Sequence, residues 1–421
     1  MFVKKTVRDV PLAGKVVLLR ADYNVPLQSN GKIADDFRVL QSLPTLRFLQ
    51  EQSCKVVIIS HLGRPDGRAV QKYSLEPVAW HLSDLLGSEV HFVGECVGDR
   101  VSRAVAGMKP GSVTLLENLR FHPGEESNDE VFAKRLAQDT KAQYFVQDAF
   151  GTAHRAHAST DAITHLLPSV AGLLLEKEYA TITEAMESPK RPLVAVLGGA
   201  KVSDKIEVIE RFIDIADRIV IGGAMANTFL KFYGGYEIGK SVHDKDAADI
   251  VAHLMRKVCD KWCQKEGVCQ CESCEDCSRG FLLPVDAAVA QEIDETAERQ
   301  DVGLSEVQPD QYILDLGANS IGRMIKAFEG AGMIVWNGTL GYAELSQFAF
   351  ASNFAAGTMA SHRKIKSIVG GGDTADFVLG WAHQQGKDPA ACFDHISTGG
   401  GASLDLMAGK KLPAVEALLD A

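Results

Sequence analysis

The stretch "RPLVAVLGGAKVSDKIEVIERFIDIA", residues 191–216, places an apolar β-branched run, a glycine pair and a helical segment in direct succession. Residues 191–199 show no polar alternation, which is how a strand covered on both faces of a sheet reads. A strand feeding a glycine turn and then a helix is the repeating unit of a parallel α/β sheet. Lys201 and Lys205 stand at the start of that helix. Ser203 or a neighbour is the expected cap, which puts Lys205 in the first turn. A cation there opposes the helix dipole by about 0.3–1 kcal/mol. Two readings fit: a solvated surface helix that tolerates the charge, or a polyphosphate that faces amide and ammonium groups together.

The same rhythm runs in both directions from this unit. Upstream, strands are predicted at 15–21, 55–60, 89–93, 112–117 and 143–148, with helices such as "LQSLPTLRFLQEQ" and "NDEVFAKRLAQDT" between them. Pro44 in the first of these marks an early turn. Downstream, strands are predicted at 218–223, 280–286, 332–338 and 366–373. The expected fold class is α/β, with two doubly wound parallel sheets, each in its own domain. The join is expected at 173–183, and the tail "SLDLMAGKKLPAVEALLDA" is a candidate to cross back to the first domain.

The 421 residues are 46% hydrophobic, ample for two cores. No run of eighteen apolar residues occurs, and "MFVKKTVRDV" lacks the apolar segment of a secretory signal, so a cytoplasmic protein is expected. The net charge of −11 argues against a nucleic-acid surface. It is unevenly spread: Lys and Arg match Asp and Glu, 20 against 20, over residues 1–176, and the remainder holds 24 against 35.

In an open parallel sheet, ligands bind outside the carboxyl ends of the strands. In the first half those ends carry "RADYN" (Arg20, Asp22, Asn24), "SHLGRP" (His61, Arg64), "ENLRF" (Arg120) and "DAFGTAHRAH" (Arg155, His157), with Arg38 following the first loop. Any one arginine is as readily a solvated charge as a ligand. Their recurrence at one edge of a half with no net charge points to a small, highly charged anion, held by guanidinium forks. His157 reads as structural.

The second half has glycine loops at the equivalent places: "LGGAK", "GGAMANTF", "WNGTLG", "GGGDT" and "STGGGAS". Glycine lets backbone N–H groups approach an anion closely. Five such loops favour a nucleotide, although neither GxxxxGK[ST] nor a GxGxxG after the first strand is present. Asp373 is a magnesium candidate, since magnesium takes one or two carboxylates beside phosphate oxygens. Glu344 is equally an exposed surface residue or an acceptor for sugar hydroxyls.

These stretches, together with "LLLEKE", "LPVD" and "STGGGASLDLMAGKKLP", occur in the order found in the phosphoglycerate kinase family, which the chain closely resembles from Arg20 to Pro413. The resemblance implies two lobes facing across a cleft. Residues 1–172 would be the phosphoglycerate-binding lobe with 404–421 packing back onto it, 173–183 the hinge and linker, and 184–403 the nucleotide-binding lobe. It implies that Asp22, Asn24, Arg38, His61, Arg64, Arg120 and Arg155 hold phosphoglycerate. Lys201 and Lys205 would lie along the nucleotide phosphates, Asn337 nearby, Glu344 near the ribose and Asp373 near magnesium. Thr374 and the backbone at Gly399 and Gly400 would complete the phosphate end. Arg38, Lys201, Lys205, Gly399 and Gly400 would form the catalytic set. ADP or ATP with Mg²⁺ is the implied co-substrate, small molecules the only partners, with neither nucleic acid nor membrane, and a monomer the expected state.

Phosphoryl transfer to a carboxylate needs no general base, because the acceptor is ionised near neutral pH. A site of arginines and lysines without a catalytic carboxylate suits that chemistry. Two other classes are distinguishable by assay: a ligase forming an acyl phosphate would release free phosphate, and an anion-binding module would not turn over.

Three features depart from the family pattern. Thr339 stands where proline is common, and Ala343 where phenylalanine is common. Cys259, Cys263, Cys269, Cys271, Cys274 and Cys277 crowd a segment that is normally short and cysteine-poor. The spacing of Cys269, Cys271, Cys274 and Cys277 is compatible with structural zinc, but free thiols and redox sensing fit it as well.

Overall fold

The computed structural model describes residues 2–28, 31–262, 264–265, 268–269 and 280–421. The side chains of Cys269, Cys271, Cys274 and Cys277 lie outside the described residues, and so does the zinc site expected on them. Two compact units are present, one formed by 1–181 with 410–421 and the other by 182–409.

The first unit is built on a six-stranded sheet of β1 (Val16–Arg20), β2 (Lys55–Ile59), β3 (Val90–Val93), β4 (Val113–Leu116), β5 (Tyr144–Gln147) and β6 (Ser169–Ala171). The order is β3-β4-β2-β1-β5-β6 and every pairing is parallel. Leu18 and Leu19 alternate between two separate apolar clusters, one on each face of the sheet. That double burial is why the strands lack polar alternation. The helix α1 (Phe37–Glu51) keeps Pro44 in its interior, rather than at an early turn. The helix Glu130–Thr140 opens on Asp129, whose carboxylate accepts from Phe132 N at 2.6 Å.

The second unit contains β7 (Leu193–Leu197), β8 (Arg218–Ile221), β9 (Phe281–Leu282), β10 (Asp286–Ala290), β11 (Gln300–Gly303), β12 (Tyr312–Leu316), β13 (Met333–Asn337), β14 (Lys366–Gly370) and β15 (His395–Ile396). Its parallel sheet runs β9-β8-β7-β13-β14-β15, while β11-β10-β12 is a small antiparallel sheet. The single strand expected at 280–286 is therefore two. Pro284 lacks a ladder donor, and the chain leaves one sheet there and enters the other.

In the parallel sheet of each unit the strand order reverses beside the first strand, between β1 and β5 and between β7 and β13. Ligand sites in such folds open at these points. Residues 173–183, expected as the join, belong to the continuous helix α2 (Leu173–Glu187), and the two units divide within it after Thr181. The return to the first unit begins at Lys410; residues 404–407 belong to the helix Gly400–Met407 of the second unit.

Candidate functional site

At the carboxyl edge of the first sheet, three loops are tied into one polar frame. Arg38 Nη1 donates to Asp22 Oδ2 at 3.0 Å, and Asn24 N donates to Asp22 Oδ1 at 3.2 Å. Gly63 N donates to Asn24 Oδ1 at 2.8 Å, while Arg120 Nη1 donates to Gly63 O at 2.9 Å. Arg120 also pairs with Glu126 at 3.0 Å. The pKa of Arg120 is lowered, chiefly by burial, with the exposed Arg155 and Arg64 close enough to add to the shift. Arg155 Nε donates to His154 Nε2 at 3.2 Å. All seven residues expected to hold phosphoglycerate thus lie in this unit, with Asp22, Asn24 and Arg38 directly linked and Arg120 joined to them through the Gly63 backbone.

His61 is buried, and its pKa is held well below the ordinary value, first by burial and then by Arg20, Arg120, Arg38 and His157. His157 is likewise pushed down to about 4 by burial and nearby arginines. Its Nδ1 lies 3.9 Å from Glu125 Oε1, too long for a hydrogen bond, and a ring so disposed is neutral. The structural reading of His157 agrees with this.

In the second unit the glycine loops close upon one another. Gly198 N donates to Asn337 O at 2.9 Å, Gly199 N to Thr339 O at 3.0 Å and Gly223 N to Leu340 O at 2.8 Å. A Cβ on Gly198 would sit 2.1 Å from Thr339 O, so no other residue fits without moving the backbone. Lys205 Nζ lies beneath these loops and donates to Gly198 O (2.7 Å), Asn337 O (3.3 Å) and Asn337 Oδ1 (2.6 Å). Burial lowers its pKa to about 8, against the opposing pull of Asp373 and Asp204.

The helix start differs from the sequence expectation. Residues Ser203–Lys205 form a 3₁₀ turn, the α-helix begins at Ile206, and Lys205 occupies the cap position with no side-chain cap bond. Ser203 N instead donates to Asp244 at 3.1 Å. With Lys205 drawn back to the carbonyls of two strand ends, the loop geometry prevails over local capping.

Beside the loops lies a cavity of about 280 Å³, lined by apolar groups such as Leu230, Val242 and Ile313 and reached by Glu344 and Asp373. An apolar slot with a few polar groups at its rim is the ordinary form of a small-molecule site. Asp373 is exposed in the first turn of the helix Gly372–Gln384, and the adjacent Thr374 is buried with its Oγ1 accepting from Gly338 N at 2.6 Å. Gly399 caps the helix that Gly400 begins, and that helix packs against β14. Lys201 is exposed and acts electrostatically on Asp244. Among the described residues, no group of three or more His, Cys, Asp or Glu is disposed to hold a metal.

The exchange of proline for Thr339 leaves the contact seen here intact, because Thr339 contributes its carbonyl, which proline also carries. Ala343 is half-buried. Sequence reasoning missed Ser159 and Glu125, which are fully buried beside Arg20 and His61. Their only signal is position: Ser159 lies in the segment that carries Arg155 and His157, and Glu125 shortly follows Arg120.

The family model described as phosphoglycerate kinase matches residues 7–410. The chain is 44% identical over 417 residues to the phosphoglycerate kinase of Pelotomaculum thermopropionicum, covering 99% of each chain. It is 43% identical to that of Moorella thermoacetica at the same coverage. Among solved structures, phosphoglycerate kinase from Coxiella burnetii superposes with a TM-score of 0.80 at 36% identity, covering 98% of both chains. The enzyme from Pyrococcus horikoshii gives 0.79 at 30% identity and the same coverage.

Proposed function

Because this chain belongs to the phosphoglycerate kinase family, we propose that the two polar loop clusters are its two substrate sites, one in each unit. The enzyme is a kinase that transfers a phosphoryl group reversibly between 1,3-bisphosphoglycerate and ADP, giving 3-phosphoglycerate and ATP in glycolysis. In this reading Asp22, Asn24, Arg38, His61, Arg64, Arg120 and Arg155 hold the phosphoglycerate. Lys201, Lys205, Asn337, Thr374 and the Gly399–Gly400 backbone hold the nucleotide phosphates, and Glu344 meets the ribose.

The observation that carries the nucleotide assignment is the amide of Asn337. Its Oδ1 accepts from Lys205 Nζ, which fixes the orientation of the group. Nδ2 is then a buried donor without a partner among the described residues, beside Gly370 and Gly371. A buried donor left unsatisfied costs about 1–3 kcal/mol, and a phosphate oxygen would remove that cost. The start of the helix Gly372–Gln384 adds amide groups and dipole at the same place.

Catalysis on this reading is positional and electrostatic. In the ATP-consuming direction the attacking carboxylate of 3-phosphoglycerate is already ionised and needs no base. Arg38, Lys201 and Lys205 neutralise charge on the moving phosphoryl group. Asp373 is the carboxylate that would meet Mg²⁺ in this reading, supported by its exposure at the cavity rim and by its nearness to Lys205, on whose charge it acts. Bound there, the ion would supply positive charge to the phosphate oxygens. Cytoplasmic residence and a monomeric state belong to the same proposal, the first resting on the glycolytic activity and the second on membership of the family. A coupled assay of ATP formation from 1,3-bisphosphoglycerate, run on variants of each cluster, tests the assignment. Variants of the first cluster should raise the KM for phosphoglycerate alone and variants of the second the KM for nucleotide alone; crossed or absent effects would refute it.

A further inference from the structure

Arg20 ends β1 with its guanidinium fully buried, and it is not among the residues assigned above to either substrate. Its Nε donates to Ser159 Oγ at 2.9 Å, and its Nη2 lies 3.2 Å from His61 Nδ1. Ser159 in turn donates through Oγ to Glu125 Oε1 at 2.6 Å and through its backbone N to Oε2 at 3.1 Å. A buried cation and a buried carboxylate are thus joined by one hydroxyl, which satisfies both without letting them touch. A guanidinium has five N–H donors and no acceptor. The atom of His61 facing it must therefore supply a lone pair, and the ring proton must sit on the other nitrogen.

We propose that Arg20 is a positioning residue that locks His61 as the neutral tautomer protonated at Nε2, so that the ring presents one fixed N–H donor to the phosphoglycerate. The inference rests on the reading of the first cluster as the phosphoglycerate site. Burial and the three facing guanidinium groups act in the same sense: desolvation, then Arg20, Arg120 and Arg38, disfavour a second proton on the ring. Among the described residues Nε2 has no hydrogen-bond partner, which leaves it for a ligand. A fixed donor loses no tautomeric freedom when the anion binds, and a neutral ring is a poor acid beside a hydrolysable acyl phosphate.

Long-range ¹H–¹⁵N correlation spectra of the full-length protein with ¹⁵N-labelled histidine test this directly. The His61 resonances are identified by their loss in His61→Gln. Near neutral pH, Nε2 should be pyrrole-type and Nδ1 pyridine-type, and Nε2–H should shift when 3-phosphoglycerate is added. A proton on Nδ1, or an imidazolium, would overturn the proposal even if the ring responds to substrate. The expected tautomer in a ring indifferent to 3-phosphoglycerate would uphold the lock and overturn the site reading instead.

Removing Arg20 strands Glu125, so Ser159→Ala serves as the milder variant. It should give mixed tautomers and a KM for 3-phosphoglycerate raised on the order of tenfold, the loss of one good hydrogen bond, with the KM for ATP unchanged. Ser159→Thr should restore both. If Ser159→Ala and Arg20→Lys both keep the wild-type tautomer and KM, Arg20 does not set the ring.

Discussion

Arg38 Nη1 donates to Asp22 Oδ2 at 3.0 Å, with Asp22 buried and Arg38 about a quarter exposed. A carboxylate sunk into the loop frame thus orients a cation whose remaining donors are open. Arg38→Ala should lower turnover by about 10²–10³-fold, the usual effect of deleting one transition-state donor. It should also cost about 1–3 kcal/mol of stability, since among the described residues Asp22 keeps only the backbone hydrogen-bond donor of Asn24. Turnover corrected for folded fraction, together with denaturant melts, separates the two effects; unchanged turnover would remove Arg38 from the chemistry.

Lys201 offers the contrast. It is exposed and belongs to no buried network among the described residues, so Lys201→Ala should change stability by no more than about 0.5 kcal/mol. Turnover should nevertheless fall by on the order of 10²-fold. A loss of activity that merely tracks a loss of folded protein would contradict the assignment.

Lys205 predicts a pH dependence. Its pKa of about 8 in the folded protein lies below the ordinary 10.5, with burial as the main cause. The free enzyme should lose the ammonium above about pH 8, and kcat/KM for nucleotide should decline there. In Lys205→Arg that alkaline limb should vanish, because guanidinium stays charged. For stability the sign is opposite. Between about pH 8 and 10.5 the unfolded chain binds more protons at this site, so its contribution to stability rises with pH. Titrating Lys205 by NMR in the free enzyme checks the premise.

Gly198→Ala should damage the second unit through sterics alone. The new methyl would fall 2.1 Å from Thr339 O, which is backbone and cannot rotate away. We expect at least about 1–3 kcal/mol of destabilisation and a raised KM for nucleotide, with the phosphoglycerate site unaltered. Thermal melts and separate substrate titrations would reveal either a tolerated methyl or damage spread to both substrates.

Asp148 tests the anchoring of α2. Its Oδ1 accepts from Leu174 N (2.9 Å) and Leu175 N (3.2 Å), and burial pushes its pKa up to about 7 from 3.8. A raised carboxylate pKa means that the folded state holds the extra proton between about pH 4 and 7, so this site's stabilising contribution falls as pH rises through that window. Asp148→Asn cannot titrate. Its Tm relative to wild type should climb from pH 4 to 7 and then level off. A difference independent of pH would show that Asp148 is not the titrating group.

The alternation of unbroken apolar runs with glycine turns and helices was enough to read the two parallel sheets, because a strand buried on both faces leaves no room for polar residues. The charged and glycine-rich loops were legible for a related reason: the ends of parallel strands share one edge, so residues far apart in the chain could be grouped by position alone. The strands β6 and β15 were not read, since two- and three-residue runs carry too little periodicity, and neither was the antiparallel β10–β12 sheet, whose strands carry Asp286, Asp301 and Asp315 and so offer no unbroken apolar run.

Partnership was beyond the sequence. Lys205 bonds to Asn337 across 132 positions, and Arg20 reaches Ser159 across 139. No local spacing encodes such pairs. The sequence determined which loops gather at each sheet edge, because strand burial and chain direction are local properties. Only the tertiary structure decided which lysine is drawn under the glycine loops, which amide is left with a spare donor and which nitrogen of His61 faces a guanidinium, because those depend on desolvation and on the few ångströms between side chains that folding brings together.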